Sequence, residues 1–174
     1  LFTCDSNSIT GNTITDCQGD QGDGIRVLGD SNVLTNNTVT NTPGDGIYVR
    51  GDSCTLTYNS VRYSTGNGID AQGYDNMFTN NSCLNNNYGI SIERSGNNSI
   101  SYNFCALNTW TGINLRSSPD SIVEYNTCVN NKFGIEDSAN ENCLITRNNC
   151  TDNSVGIRLE TRASSRVLDN YCYS

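Results

Sequence analysis

The residues able to do chemistry in this chain are few and unevenly spread. There is no histidine, Lys132 is the one lysine, and the other nine cations are scattered arginines. Acid–base chemistry on a polysaccharide needs a paired acid and base, or a calcium cluster beside a basic residue. The densest acidic group is Asp20, Asp23 and Asp45. Asp23 and Asp45 hold equivalent places one strand spacing apart, where like charges repel unless a cation bridges them. A solvated loop is the plainer reading, so the sequence assigns no catalytic residue, no metal and no cofactor. Glu93, Arg116 and Glu160 share another outward place and suit surface ion pairing. Asp137 stands where its counterparts are apolar, and a local bulge turning it outward is expected.

Three further residue sets have chemical meaning. Tyr58, Tyr102 and Tyr125 fall at equivalent places, Phe104 lies on the same edge, and Trp110 sits in a neighbouring bend. Aromatic faces at strand spacing can stack on sugar rings, which makes Tyr58, Tyr102, Tyr125 and Trp110 the candidate glycan contacts. Asn36, Asn80, Asn97 and Asn149 each satisfy N-x-[ST] and are candidate N-glycosylation sites. Asn36, Asn80 and Asn149 adjoin inward asparagines and should face out. The Arg50-Gly51-Asp52-Ser53 run spells an adhesion tripeptide, but Leu28-Gly29-Asp30-Ser31 stands at the same place one repeat earlier, so it reads as a turn. Nine cysteines would suggest a disulfide framework in a secreted chain. Five of them, Cys83, Cys105, Cys128, Cys150 and Cys172, fall at one inward place in consecutive repeats. In-register strands stand about 4.8 Å apart, whereas a disulfide wants Cβ atoms at roughly 3.5–4.5 Å. A ladder of buried thiols is therefore the expectation, with pairwise bridging and metal ligation as alternatives.

The elements that position these residues follow from the periodicity. Gly-Ile pairs begin at Gly24, Gly46, Gly68, Gly89, Gly112, Gly134 and Gly156, at gaps of 22, 22, 21, 23, 22 and 22. Asn12, Asn37, Asn59, Asn81, Asn103, Asn126, Asn148 and Asn170 keep the same beat. Fixed self-similarity means one supersecondary unit stacked many times. Apolar residues recur three before each of these asparagines, two after it, in the Gly-Ile pair and two beyond that, with polar residues between. That alternation is the strand signature. Small polar residues, mostly asparagine, mark three bends per repeat and can hydrogen-bond to their equivalents above and below. The spacing predicts an all-β, right-handed, single-stranded parallel β-helix of about eight coils with Asn and Cys ladders, as one domain over residues 1–174.

The segments SNSITGNTIT, SNVLTNNTVTNTPGDGI and NSISYNFCALNTWTGI resemble the parallel β-helix repeats of the NosD-like group. That group belongs to a wider set of carbohydrate-binding proteins and sugar hydrolases. The resemblance spans residues 6–172 and implies the fold; no functional motif of the family's enzymes transfers residue by residue. A net charge of −8 without a basic stripe argues against nucleic acid, and no apolar run approaches the roughly 20 residues of a membrane span. The repeat is already running by Asn7 and continues to the last residues. We therefore expect a non-catalytic, extracellular or cell-surface structural module of a filament, sheath or surface layer. Its partners would be further copies stacked head to tail or flanking surface-protein domains, with glycans as a further possibility. The alternative is a carbohydrate-binding or polysaccharide-modifying domain.

Overall fold

The structure is a computed structural model describing residues 4–19, 22–138, 141–160 and 164–173. It is a solenoid of short parallel strands in three sheets. Sheet A holds the seven Gly-Ile strands, from Ile25–Leu28 to Val155–Leu159. Sheet B holds eight strands from Ser8–Thr10 to Arg166–Leu168, and sheet C eight from Thr13–Thr15 to Tyr171–Tyr173. That makes about seven full turns, one fewer than the eight repeats of asparagine suggest, because sheet A has one strand fewer among the described residues.

Each strand points one apolar side chain inward per pleat. Leu34, Leu56, Phe78, Ile100, Val123 and Ile145 line sheet B, and Ile47, Ile69, Ile90, Ile113 and Ile135 line sheet A; all are fully buried. Between sheets B and C runs the asparagine ladder. Asn103 Nδ2 donates to Asn126 Oδ1 at 3.0 Å and to the Phe78 carbonyl at 2.9 Å, while its Oδ1 accepts from Asn81 N and Nδ2. Every polar atom of the side chain is therefore used, which a buried amide requires. Asn12 and Asn170, at the two ends, are less covered than the rest. A second ladder, Asn86, Asn108, Asn131 and Asn153, closes the corner between sheets C and A.

Each of the three bends turns on one residue in the left-handed conformation. Ser31, Ser53 and Asp75 do so between sheets A and B, Tyr58, Asn80 and Tyr102 between B and C, and Tyr63, Asn85 and Leu107 between C and A, all with φ of 55–60°. Asn and Asp tolerate this region best, which accounts for much of the asparagine in the composition. The Gly-Ile glycines have a different cause. A Cβ on Gly112 would stand 2.6 Å from the Gly134 carbonyl oxygen and 2.9 Å from Cys128 Sγ, and Gly68, Gly89 and Gly134 meet the same obstruction. Coil-on-coil backbone contact excludes any side chain there.

The cysteine column stacks in register through Cys83, Cys105, Cys128, Cys150 and Cys172, and all nine cysteines are free thiols. Cys83, Cys105, Cys128 and Cys150 are buried. Cys172, on the last described strand of sheet C, is exposed, and Cys17 is half-buried. Hydrogen bonding to Cys128 and burial push the thiols of Cys105 and Cys150 up, so they stay protonated. Asp137 corrects the sequence expectation. The strand Phe133–Ser138 runs without a bulge, pairs Asp137 with Leu115 and Leu159, and keeps it fully buried. Strand alternation alone decides its direction, and the carboxylate takes an apolar residue's place.

Candidate functional site

The outer face of sheet A differs from the other two. About half of the outward residues of sheets B and C are Ser or Thr, as in Thr35, Thr57, Thr38 and Ser60. The residue after each Gly-Ile pair, pointing out between two core residues, forms instead the register-aligned row Arg26, Tyr48, Asp70, Ser91, Asn114, Glu136 and Arg158. Every member is polar or charged, and one stands on each coil. Two rows flank it. On one side lie Tyr88, Thr111 and Phe133; on the other lie Arg50, Gln72, Glu93 and Arg116.

Side chains of this face shelter one another. Ser91 and Asn114 are 2% and 7% exposed although they point away from the core, and Asn114 Nδ2 donates to Ser91 Oγ at 3.3 Å. Thr111 Oγ1 donates to Glu136 Oε2 at 3.0 Å, and Arg158 meets Glu136 at 3.1 Å and Glu160 at 2.6 Å. Lys132 Nζ lies 3.8 Å from the Trp110 ring centroid, and the Arg158 guanidinium lies 4.7 Å from that of Phe133. At the other end Arg26 lies over Tyr48 and pairs with Asp23 at 2.8 Å. The result is a half-buried polar face with aromatic rings along one edge.

Asp70 is its most perturbed group. Burial, reinforced by the negative charges of Asp45, Glu93 and Asp23, pushes its carboxyl up to about 7. It is therefore a carboxylic acid that can carry or release a proton near neutrality, the property an acid–base group needs. Burial also pushes Asp45 up. Tyr88 is raised by burial first, then by Glu136 and Glu93.

The residues singled out in the sequence divide between this groove and other surfaces. Trp110 belongs to the groove wall, whereas Tyr58, Tyr102 and Tyr125 line the corner between sheets B and C, so the four do not form one platform. Asp23 and Asp45 are engaged as caps. Asp23 Oδ1 accepts the Asp45 N–H at 3.0 Å and Asp45 Oδ1 accepts the Asn67 N–H at 2.7 Å. Asp20 lies outside the described residues, and among those described no cluster of three ligands could hold a metal ion. Glu93 and Arg116 approach to 3.8 Å on the surface. Asp52 accepts the Tyr74 N–H at 2.7 Å, so the Arg-Gly-Asp run is a turn of the coil. Asn36, Asn80, Asn97 and Asn149 are all exposed. Sequence reasoning passed over Asp70, Ser91, Asn114 and Glu136. The available signal was that charged residues and tyrosine fill this outward place in most coils, whereas about half of the outward residues of the other sheets are Ser or Thr.

A three-sheet parallel solenoid with one chemically distinct face is the architecture of β-helix proteins. The sequence pattern of the right-handed β-helix region matches residues 1–54 and 23–172, and the chain belongs to that family. No curated protein matches it. Among solved structures, the A-module of the Azotobacter vinelandii mannuronan C-5 epimerase AlgE4 is similar with a TM-score of 0.85 and 14% identity, over 96% of this chain and 53% of that one. The periplasmic alginate epimerase AlgG is similar with a TM-score of 0.70 and 18% identity, over 85% and 46%. The chain thus spans about half the length of each, and at these identities the likeness is one of fold.

Proposed function

We propose that the outer face of sheet A is a carbohydrate-binding groove, in which an extended polysaccharide crosses successive coils and Asp70 exchanges a proton with the bound sugar. The observation that carries this reading is the row Tyr48, Asp70, Ser91, Asn114, Glu136 and Arg158, one hydrogen-bonding group per coil. A ligand built of repeating units meets a surface built of repeating units. Sugars offer hydroxyl rims and C–H faces; Tyr48, Asp70, Glu136 and Arg158 of the row answer the first, and Tyr88, Trp110 and Phe133 answer the second. The groove carries both signs, with Asp70 and Glu136 beside Arg116 and Arg158. Two fold neighbours, one described as an alginate epimerase and one as a mannuronan C-5 epimerase, support a polysaccharide ligand. In this reading the chain works outside the cytoplasm, as an extracellular or cell-surface domain, with Asn36, Asn97 and Asn149 open to glycosylation. The head-to-tail filament is the second reading; it rests on the ladder pattern, whereas the groove favours a glycan partner.

The test is binding of soluble neutral and uronic polysaccharides, followed by calorimetry and product analysis. We expect Trp110→Ala and Glu136→Gln to weaken binding, and Asp70→Asn to remove any turnover while binding persists. Polysaccharide binding that ignores all three substitutions, or none from any class, refutes the proposal.

A further inference from the structure

A second aromatic feature lies on a different surface. At the corner between sheets B and C, one left-handed residue per coil projects outward: Asn36, Tyr58, Asn80, Tyr102, Tyr125 and Arg147, all with φ of 54–57°. The Tyr102 and Tyr125 rings are parallel within 3° and their centroids are 5.1 Å apart, so this column holds one ring per coil. Arg147 closes one end, with its guanidinium 5.5 Å from the Tyr125 centroid and an N–H donated to the Tyr125 hydroxyl at 2.8 Å. The other face of Tyr102 looks toward Asn80. Beyond Asn80 comes Tyr58, in the same backbone conformation and 60% exposed.

From this geometry we infer that Tyr58, Asn80 and Tyr102 form a slot that takes one neutral hexopyranose ring of a glycan, separate from the groove on sheet A. Two coil steps separate the tyrosines, about 9.6 Å at roughly 4.8 Å per step. A ring at the level of Asn80 therefore has about 4.8 Å on either side. Flat aromatic rings make contact at about 3.5–4.0 Å, so a planar guest would leave a gap on both faces. A pyranose chair is thicker, and its axial C–H groups reach both rings. At the base stands the exposed amide of Asn80, which offers two donors and an acceptor to ring hydroxyls. The slot's neighbours along the two strands are Thr57, Thr79, Ser60 and Ser82, none of them charged. That favours a neutral hexose over a uronate or a sulfated sugar. The column is filled at Tyr102–Tyr125 and interrupted at Asn80, and the interruption is one sugar ring deep.

The experiment is saturation-transfer NMR and titration of the folded protein with cellotetraose and mannotetraose. Sugar protons should receive saturation from tyrosine ring protons. Tyr58→Ala and Tyr102→Ala should each weaken binding roughly 2- to 12-fold, the value of one aromatic face, and the double variant should abolish it. Tyr102→Phe should keep it, because the face and not the hydroxyl makes the contact. Tyr58→Ala and Tyr102→Ala are also made in a Trp110→Ala parent, whose sheet A groove is already weakened, and should lower binding by the same factor there, so this slot and that groove fail or succeed separately. All substituted side chains in the slot are exposed, and an unchanged melting temperature confirms the fold of each variant. Binding as tight in the Tyr58→Ala/Tyr102→Ala double variant as in its Trp110→Ala parent, or absence of binding by both tetrasaccharides, overturns the inference. So does a covalent glycan on Asn80 in the native protein, since it would already fill the slot.

Discussion

Replacing Asp70 by asparagine tests the electrostatic description of the groove through stability alone, with no ligand needed. Asp70 titrates at about 7 in the folded protein against an ordinary value of 3.8. Between those two values the folded chain keeps a proton that the unfolded chain has already released. Stability must therefore fall as pH rises through that window; the contribution is complete below pH 3.8 and lost above about 7. The interval is about 3 units, and at 1.36 kcal/mol per unit it corresponds to roughly 4 kcal/mol. Asparagine has the shape of the protonated acid and cannot ionise. Wild type and Asp70→Asn should thus have similar stability near pH 4, and the variant should become the more stable by up to about 4 kcal/mol at pH 8. Guanidinium unfolding at intervals from pH 4 to 9, followed by circular dichroism, measures both curves. Their difference cancels most of the contribution of the other carboxylates. A difference that stays flat with pH would show that Asp70 ionises normally, and the acid–base role assigned to it would fall with that result.

The interior makes its own predictions. Asn103→Leu strands the Phe78 carbonyl, the Asn81 N–H and one Asn81 amide proton; at about 1–3 kcal/mol for each unsatisfied group we expect a loss of about 3–9 kcal/mol in urea unfolding, and a neutral effect would mean that the ladder carries no stability. Gly112→Ala should cost more than about 3 kcal/mol, because the obstructing atom is the Gly134 carbonyl and the coils must separate to admit a methyl group. Cys105→Val should cost less than about 1.5 kcal/mol as an apolar swap of similar size. Cys83, Cys105, Cys128 and Cys150 should resist alkylation until the protein is denatured, as mass spectrometry before and after guanidinium would report, whereas Cys172 should react at once. A Cys83–Cys105 disulfide in peptide maps would contradict the free-thiol ladder.

The sequence showed its core far more clearly than its groove, and the reason is physical. Ile47, Ile69, Ile90 and Ile113 face the same surroundings in every coil, so the same residue answers each time and a period appears. Asn59, Asn81 and Asn103 repeat because each must use its amide fully against the next. Asp70, Ser91, Asn114 and Glu136 occupy one register but answer to no common interior, so they share no residue type and leave no period to detect. Asp137 misled for a related reason. A carboxylate among leucines suggested a broken strand, yet the backbone pairing that sets its direction does not depend on the side chain. The tyrosines were legible as equivalent positions and Trp110 as a residue of another bend, but only the ring geometry shows Tyr102 turned face to face with Tyr125.

In a solenoid this asymmetry can be turned into a method of reading. Ladders fix every inward position of every coil, so departures from the repeat fall into two kinds. An inward departure such as Asp137 is tolerated at a cost to the stack. An outward departure is free of the ladder, and its selection must come from something outside it. By that measure the row through Asp70 and Glu136 and the interrupted tyrosine column at Asn80 are the two surfaces where the repeat is least able to explain the residues. They lie on different sides of the coil, one on sheet A and one at the corner of sheets B and C. A polysaccharide held by both would have to wrap around the rod, whereas two chains could be held independently. Binding stoichiometry with a long glucan, compared between wild type, Trp110→Ala and Tyr58→Ala/Tyr102→Ala, separates these arrangements. Two independent chains give two classes of site, each removed by one set of substitutions; one wrapped chain gives a single class that either set weakens.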